Sequence, residues 1–204
     1  MSCIQWKTLE HNGVVFPPAY EPIPSNIKIL YNGSPISLDA KNTNNPFNIS
    51  AEEGAFFFAK KLLQDKNLSE ENKTRHNWTE DKVFVNNFWQ DWKIILGSGS
   101  PIKKFELIDF KPLVKYIKKR SESKKEAKKE MTKEEKKEEK EEKEKIKEMY
   151  GYAIVDGEKL PINPAIQPPE LFVGHGTQPL RGKIKARIKP EDITDESEAS
   201  VIAG

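Results

Sequence analysis

The sequence predicts an α+β fold in which a β-rich module built from both ends of the chain holds an inserted helical module. Residues 1–49 and 150–204 carry short alternating apolar segments divided by prolines and glycines, as strands and turns do. Residues 50–149 instead carry apolar residues at helical spacing together with helix-capping signals. We therefore assign residues 1–49 plus 150–204 to the β-rich module and residues 50–149 to the helical module.

The N-terminal part is predicted to form strands and turns. Four prolines between residues 17 and 24 exclude a helix there, because proline lacks the amide donor and restricts its neighbour. Residues Ile27 to Tyr31 alternate like a half-buried strand, and Asn32-Gly33 is a hairpin turn signal. The Asn-rich residues 39–48 are typical of an inserted loop.

Two helices with apolar faces follow. Ser50 stands three residues before Glu53, the signature of a capped helix start, and residues 51–64 carry a thick apolar face. A second helix is predicted from Thr79. Its aromatic residues recur at helical spacing, which indicates core packing and not a base-stacking platform; they are Phe88, Trp89 and Trp92.

A charged stretch is predicted to form two further helices, at about residues 112–129 and 133–149. Thr132 and Glu135 make a second capping box between them. From Lys115 to Met149 there are 15 Lys+Arg and 11 Glu, a local net charge of +4, and almost no apolar residue. Such helices cannot bury a face, so we expect them to protrude into solvent.

The C-terminal part is again predicted to be strand-like. Residues Tyr152 to Val155 are apolar and end at the turn signal Asp156-Gly157. From Arg181 to Lys189 basic and apolar residues alternate, which predicts a strand with one basic face. That basic face is either a solvated surface or a set of phosphate contacts.

Composition excludes several classes of protein. The 204 residues carry 34 Lys+Arg and 32 Asp+Glu, so the net charge of +2 does not by itself indicate a nucleic-acid binder. The single cysteine excludes a disulfide framework, and the three histidines lie in separate segments without ligand-like spacing. No signal peptide, membrane span or self-sufficient active site is recognisable. We expect a soluble intracellular protein that needs no cofactor or metal.

Three blocks of short motifs follow one another along the chain. They are Trp6-Lys7, Leu9-Glu10-His11, Gly13, Val15-Phe16-Pro17-Pro18 and Tyr20-Glu21-Pro22, then Val83-Phe84, Asn87-Phe88, Asp91-Trp92 and Asp109-Phe110, then Tyr150-Gly151-Tyr152, Pro168-Pro169, Leu171-Phe172, Gly174, Gly176 and Pro190-Glu191-Asp192-Ile193. The proline and aromatic order of the first and last blocks is specific. In this order the motifs resemble one family, the N-terminal DNA-binding region of eukaryotic type IB DNA topoisomerase I.

The resemblance implies the upper lobe of a clamp that closes around duplex DNA, with a protruding pair of Lys/Glu-rich helices. It implies a nuclear enzyme that relaxes supercoils through a 3′-phosphotyrosine, without ATP or an obligatory metal. The catalytic tyrosine and its partners belong to the catalytic core and C-terminal tyrosine segment, beyond this chain, which is not expected to be catalytic alone. The expected partners are therefore duplex DNA and the remainder of the same enzyme, with no membrane.

The resemblance also indicates DNA-binding residues near the C-terminus. Lys185 matches the family lysine that approaches the scissile region, while Val173 and His175 replace two family arginines and Ala186 replaces a basic residue. These losses support a second hypothesis, a non-catalytic protein-interaction module that has lost its DNA surface. The predicted DNA-binding residues are Lys185, Lys183, Arg187, His175, Arg181, Gly174 and Phe172.

Overall fold

A computed structural model describes residues 7–67, 78–172 and 182–194 of the chain. These fall into two compact units. The sheet unit comprises residues 7–19, 127–168 and 188–194, and the core unit comprises residues 20–67, 78–126, 169–172 and 182–187. The bounds differ from those of the two modules drawn from the sequence, which stay a prediction.

The described elements are helices and short antiparallel strands, which confirms the predicted α+β class. In chain order they are β1 Leu9–His11, β2 Ile29–Tyr31, β3 Ser34–Ile36, α1 Ala51–Lys66, α2 Lys82–Leu96, β4 Ile108–Asp109, α3 Lys111–Glu130, α4 Lys133–Tyr150, β5 Tyr152–Val155, β6 Glu158–Pro161, β7 Leu171–Phe172 and β8 Lys183–Ile184. Three 3₁₀ turns supplement them, at Trp78–Glu80, Phe105–Leu107 and Pro190–Asp192.

In the core unit, β2 pairs with β3 on one side and with β4 on the other. The predicted turn joins β2 to β3, and its residues Asn32 (φ 48°) and Gly33 (φ 78°) both occupy the left-handed region that a two-residue hairpin loop requires. The Asn-rich segment 39–48 forms no helix or strand, as predicted.

An aromatic cluster on α2 forms the centre of the core unit. Phe84, Phe88 and Trp92 are completely buried, which confirms the predicted core role of the last two. Trp89, the third predicted core residue, is only partly buried and packs against this cluster. Phe88 stacks on Phe58 of α1 with ring centroids 4.6 Å apart. A Cβ atom on Gly54 would stand 2.7 Å from the Trp92 ring, so only glycine lets α1 approach α2 this closely.

Both helices of this pair begin at a side-chain cap. The Oγ of Ser50 accepts the Glu53 amide at 3.1 Å, as the sequence predicted for α1. Helix α2 begins later than predicted, because Asp81 is its cap and accepts the amides of Val83 and Phe84 at 2.7 and 2.9 Å. The residues from Trp78 to Glu80 form a 3₁₀ turn instead.

In the sheet unit the strands pair in the order β1–β5–β6, all antiparallel. Asp156 (φ 49°) and Gly157 (φ 90°) make the predicted turn between β5 and β6. The Asp156 carboxylate also accepts the amides of Lys7 and Thr8 at 2.7 and 2.8 Å. These hydrogen bonds lower the pKa of Asp156 because they favour its charged form.

The charged stretch forms two helices, α3 and α4, that meet at the predicted capping box. Thr132 Oγ1 accepts the Glu135 amide at 3.1 Å, and Glu135 returns the bond by accepting the Thr132 amide at 2.7 Å. No residue of α4 is buried, and the described residues of α3 from 121 to 130 are exposed. Among the described residues no helix is long and apolar enough to span a membrane.

We predict that Thr132→Ala loosens the first turns of α4. The change removes the acceptor for the Glu135 amide, and losing such a cap costs about 1 kcal/mol. Because α4 has no buried face to compensate, the loss should appear as faster hydrogen exchange at the amides of Lys136 to Glu139.

The matched control is Ser123→Ala, an exposed change of the same kind inside α3. It should leave exchange in α4 unchanged, since alanine is a good helix former. Equal exchange rates in both variants would show that the cap contributes nothing to α4.

Candidate nucleic-acid interface

The basic C-terminal segment enters the core unit as strand β8, which pairs with β7. Leu171 lies opposite Ile184, and Phe172 lies opposite Lys183. Leu171 and Ile184 are 2% and 1% exposed, so this pair belongs to the hydrophobic core. The strand is therefore fixed to the core by the buried side chain of Ile184.

The strand predicted over residues 181–189 is wrong in its extent, because among the described residues 182–189 only Lys183–Ile184 pairs as a strand. The Lys185 amide still donates to the carbonyl of Glu170, the residue opposite it in the register, at 2.9 Å. The Arg187 amide instead donates to the Phe47 carbonyl at 2.8 Å. The segment therefore leaves the ladder after Lys185 and is held by loop backbone.

Gly182 permits the close approach of β8 to α2. A Cβ atom at this position would stand 2.7 Å from the ring carbon Cδ2 of Phe84 and closer still to the Phe84 carbonyl oxygen. Both groups belong to a completely buried residue that has no room to move. A glycine is required here because the backbone must lie directly on the helix.

Lys183 and Lys185 are exposed on either side of buried Ile184. Side chains two residues apart along an extended segment point to the same side, so the two ammonium groups share one exposed face. Neither lysine forms a salt bridge with any residue in the described ranges. Within the described part of the chain, no carboxylate occupies either ammonium group as a salt-bridge partner.

Asp91 of α2 holds the backbone between the two lysines. One of its carboxylate oxygens accepts the Ile184 amide at 3.2 Å. Burial raises the pKa of Asp91, while the Ile184 amide and the positive charge of Lys183 act in the opposite direction. The carboxylate therefore ties β8 to the helix that forms the core.

The third basic residue, Arg187, is arranged differently from the two lysines. Its guanidinium forms an ion pair with Glu53, the residue in the first turn of α1. The Glu53 side chain is only 4% exposed, and that of Arg187 is 22% exposed. Burial raises the pKa of the Glu53 carboxyl, and the charge of Arg187 opposes that rise.

The basic stripe does not continue as free charge after Arg187. Within the sheet unit, Lys189 lies 3.7 Å from a carboxylate oxygen of Glu191. Three other predicted residues, Gly174, His175 and Arg181, lie outside the described residues, and of Phe172 only the backbone in β7 is described. Among the described residues no group of three or more His, Cys, Asp or Glu side chains is arranged to hold a metal ion.

Comparison with known proteins identifies the family. A family model for the DNA-binding fragment of eukaryotic DNA topoisomerase I matches residues 4–200. The chain is 42% identical over 193 residues to DNA topoisomerase 1 of Xenopus laevis, and 40% identical over 193 residues to that of Homo sapiens, each match covering 93% of the chain. DNA topoisomerase 1 of Candida albicans is 41% identical over 196 residues, which cover 94% of the chain.

The chain belongs to this family. It spans only a fifth of the length of these relatives, 20% of the Xenopus protein and 22% of the other two. The exposed lysine pair, Lys183 and Lys185, lies inside the region that matches the topoisomerase I family model.

Sequence reasoning missed the groups that hold this topoisomerase segment in place. Glu53 was identified only as a helix-capping residue, and no spacing in the sequence links it to Arg187, 134 residues away. Asp91 was noted only as part of a family motif. Gly182 carried the one usable signal, because an isolated glycine beside a strand often marks a close backbone approach.

We predict that Gly182→Ala destabilises the core unit, because its Cβ meets the buried Phe84. Overpacking of this kind costs about 1–3 kcal/mol. Chemical denaturation should show the loss as a lower midpoint at unchanged slope.

Gly99→Ala is the control, because a Cβ there meets no atom within 4 Å and its backbone is not left-handed. It should leave the midpoint unchanged or raise it slightly. A Gly182→Ala variant as stable as Gly99→Ala would contradict the close approach.

Proposed function

We propose that this chain is the DNA-binding lobe of a type IB topoisomerase and that Lys183 and Lys185 contact the phosphates of duplex DNA. The observation that carries the proposal is the lysine pair itself. Two cations that form no salt bridge with any described residue lie on one exposed face of a segment that is fixed to the core, within a region that matches a DNA-binding fragment. Gly174, His175, Arg181 and Phe172, which precede β8 in the sequence or belong to β7, are the proposed remainder of the contact surface.

A lysine pair of this kind suits phosphate and not base recognition. An ammonium group is a compact charge with rotating donors, so it meets a phosphate oxygen without reading a base edge. We therefore expect binding that is strongly dependent on salt and has little sequence preference. Duplex should bind better than single strands, because the lobe belongs to a clamp around a double helix.

In the proposed enzyme the covalent step belongs to another segment. A tyrosine hydroxyl attacks a backbone phosphorus, the bond to the 5′ oxygen breaks, and a 3′-phosphotyrosine and a free 5′-hydroxyl result. Swivelling relaxes the supercoil, and the 5′-hydroxyl then attacks the phosphotyrosine and restores the strand. This lobe contributes binding and enclosure of the duplex, in the nucleus, and its partners are duplex DNA, the catalytic core and the C-terminal tyrosine segment.

The proposal is tested by binding of the chain to a labelled duplex of roughly 20 base pairs between 50 and 200 mM salt. Several phosphate contacts should give a slope of log K against log salt of about −3 or steeper, since each contributes about −0.9. Absence of binding even at 50 mM would overturn the proposal for this chain and favour the protein-interaction module.

We predict that Lys185→Ala weakens duplex binding and makes the salt slope shallower by about 0.9, the contribution of one phosphate contact. Lys183→Ala should act in the same direction. The measurement is the same salt titration, carried out on each variant.

Lys28→Ala is the charge-matched control, since Lys28 is an exposed lysine of the same unit outside the basic segment. Its slope should equal that of the unmodified chain. If Lys28→Ala and Lys185→Ala change the slope equally, net charge and not the lysine pair governs binding.

A further inference from the structure

Arg187 continues the basic alternation of Lys183 and Lys185, but its guanidinium already forms an ion pair within the protein. Both lysines are exposed and without a salt bridge in the described ranges, whereas the Arg187 guanidinium pairs with a carboxylate that is 4% exposed. An anion from solvent would have to compete with that buried carboxylate for the same donors. Leaving Glu53 buried and unpaired is strongly unfavourable, so the guanidinium stays where it is.

The backbone of Arg187 is fixed as well as its side chain. Its amide donates to the Phe47 carbonyl at 2.8 Å, and its own carbonyl accepts the Asn48 side-chain amide at 3.3 Å. Together with the ion pair, these bonds attach one residue to the core unit at three points. Lys185 lies two residues earlier, and its backbone amide bonds to Glu170.

A second carboxylate anchors the segment on the other side of Lys185. Asp91 accepts the amide of Ile184, the residue directly before Lys185. The exposed lysine therefore stands between two anchored neighbours, one held by a carboxylate of α2 and the other by a carboxylate of α1. This arrangement restricts where its backbone can move, which preorganises the charge at its tip.

We propose that Arg187 is a positioning residue, which through its ion pair with Glu53 holds the Lys185 segment for DNA and makes no phosphate contact of its own. The inference deepens the proposed function of the lysine pair and rests on it. It also assigns two different roles to the three basic residues of the alternating segment. Lys183 and Lys185 meet the duplex, and Arg187 maintains the surface on which they stand.

The variant Glu53→Gln distinguishes a positioning role of Arg187 from direct phosphate contact, because the two roles predict opposite changes in affinity for duplex DNA. If Arg187 positions Lys185, the loss of its anchor weakens duplex binding by about fivefold although the net charge of the chain rises. If Arg187 is instead a phosphate ligand restrained by Glu53, the variant frees it, so binding strengthens and the salt slope steepens by about 0.9. The second result would overturn the proposal.

Glu106→Gln is the matched control, since it removes the same charge from an exposed position of the core unit. It should leave affinity unchanged or raise it slightly. Weakening of the same size in Glu53→Gln and Glu106→Gln would contradict the positioning role. Circular dichroism confirms that each variant is folded before its affinity is compared.

A measurement on the unmodified chain does not depend on how the variants fold. The Nε–H resonance of Arg187, assigned by its absence in Arg187→Lys, should exchange slowly with solvent and keep its chemical shift when the duplex is added. The resonances of the Lys185 side chain should shift in the same titration. A DNA-induced shift at Arg187 as large as that at Lys185 would reject the proposal.

Failure of the proposed DNA binding can be distinguished from failure of the positioning role of Arg187. If the unmodified chain binds no duplex at 50 mM salt, the proposed DNA binding has failed. The anchoring itself is then judged by hydrogen exchange, where Glu53→Gln should speed exchange at the Lys185 and Arg187 amides and Glu106→Gln should not. Unchanged exchange at both amides in Glu53→Gln would show that the ion pair does not hold the segment.

Discussion

The packing of α2 is the constraint on which the core unit and its basic surface both depend. The helix presents Phe84, Phe88 and Trp92 to the interior, and each is completely buried. Three aromatic side chains of this size contribute several kcal/mol, because burying each one fully is worth about 1.5–3 kcal/mol. The rotation of the helix about its axis is therefore set by burial.

Once the rotation of α2 is set, the positions of the residues that hold the lysine pair follow from it. The Phe84 backbone lies under Gly182, and Asp91, adjacent to Trp92 in sequence, reaches the Ile184 amide. On the other side, the Trp92 indole donates to the Ala51 carbonyl at 3.0 Å and so fixes the first turn of α1. That turn carries Glu53, the partner of Arg187. The residues that hold the basic segment are thus only one or two positions away in sequence from residues that pack or hydrogen-bond in the core.

Much of this fold follows from local sequence signals. Helical spacing predicted that Phe88 and Trp92 of α2 are buried, and short capping and turn motifs predicted the starts of α1 and α4 and the hairpin at Asn32-Gly33. These features succeed because each depends on residues within four positions of one another. The strand predicted over residues 181–189 failed, because alternation shows which side chains face inward but not which carbonyls accept the amides.

The candidate site was predictable in its exposed part only. An alternating basic segment indicates a charged face, and the structure leaves Lys183 and Lys185 on it. The partner of Arg187 was not predictable, since Glu53 is 134 residues away in the sequence and only the tertiary structure brings the two together. A buried pair of this kind is strongly coupled to the fold, because removing one partner typically costs about 3–5 kcal/mol. The Glu53–Arg187 ion pair therefore contributes to the structure, even though Arg187 follows Lys183 and Lys185 in the same basic segment.

Placement, and not the number of charges, decides which cations of this chain are available to a phosphate. On α4 most lysines have a glutamate one turn away, and ion pairs join Lys137 to Glu141, Lys140 to Glu144 and Lys143 to Glu139. Each such exposed pair contributes only about 0.2–0.5 kcal/mol, but together with the capping box they stabilise a helix that has no buried face. The positive charge of each lysine paired in this way is partly neutralised by the glutamate of its own helix. Lys183 and Lys185 have no such partner in the described ranges, and their segment is fixed to the core by buried Ile184 and by the Asp91 carboxylate. We therefore expect them to present a better ordered pair of charges to a phosphate than the lysines of an exposed helix do.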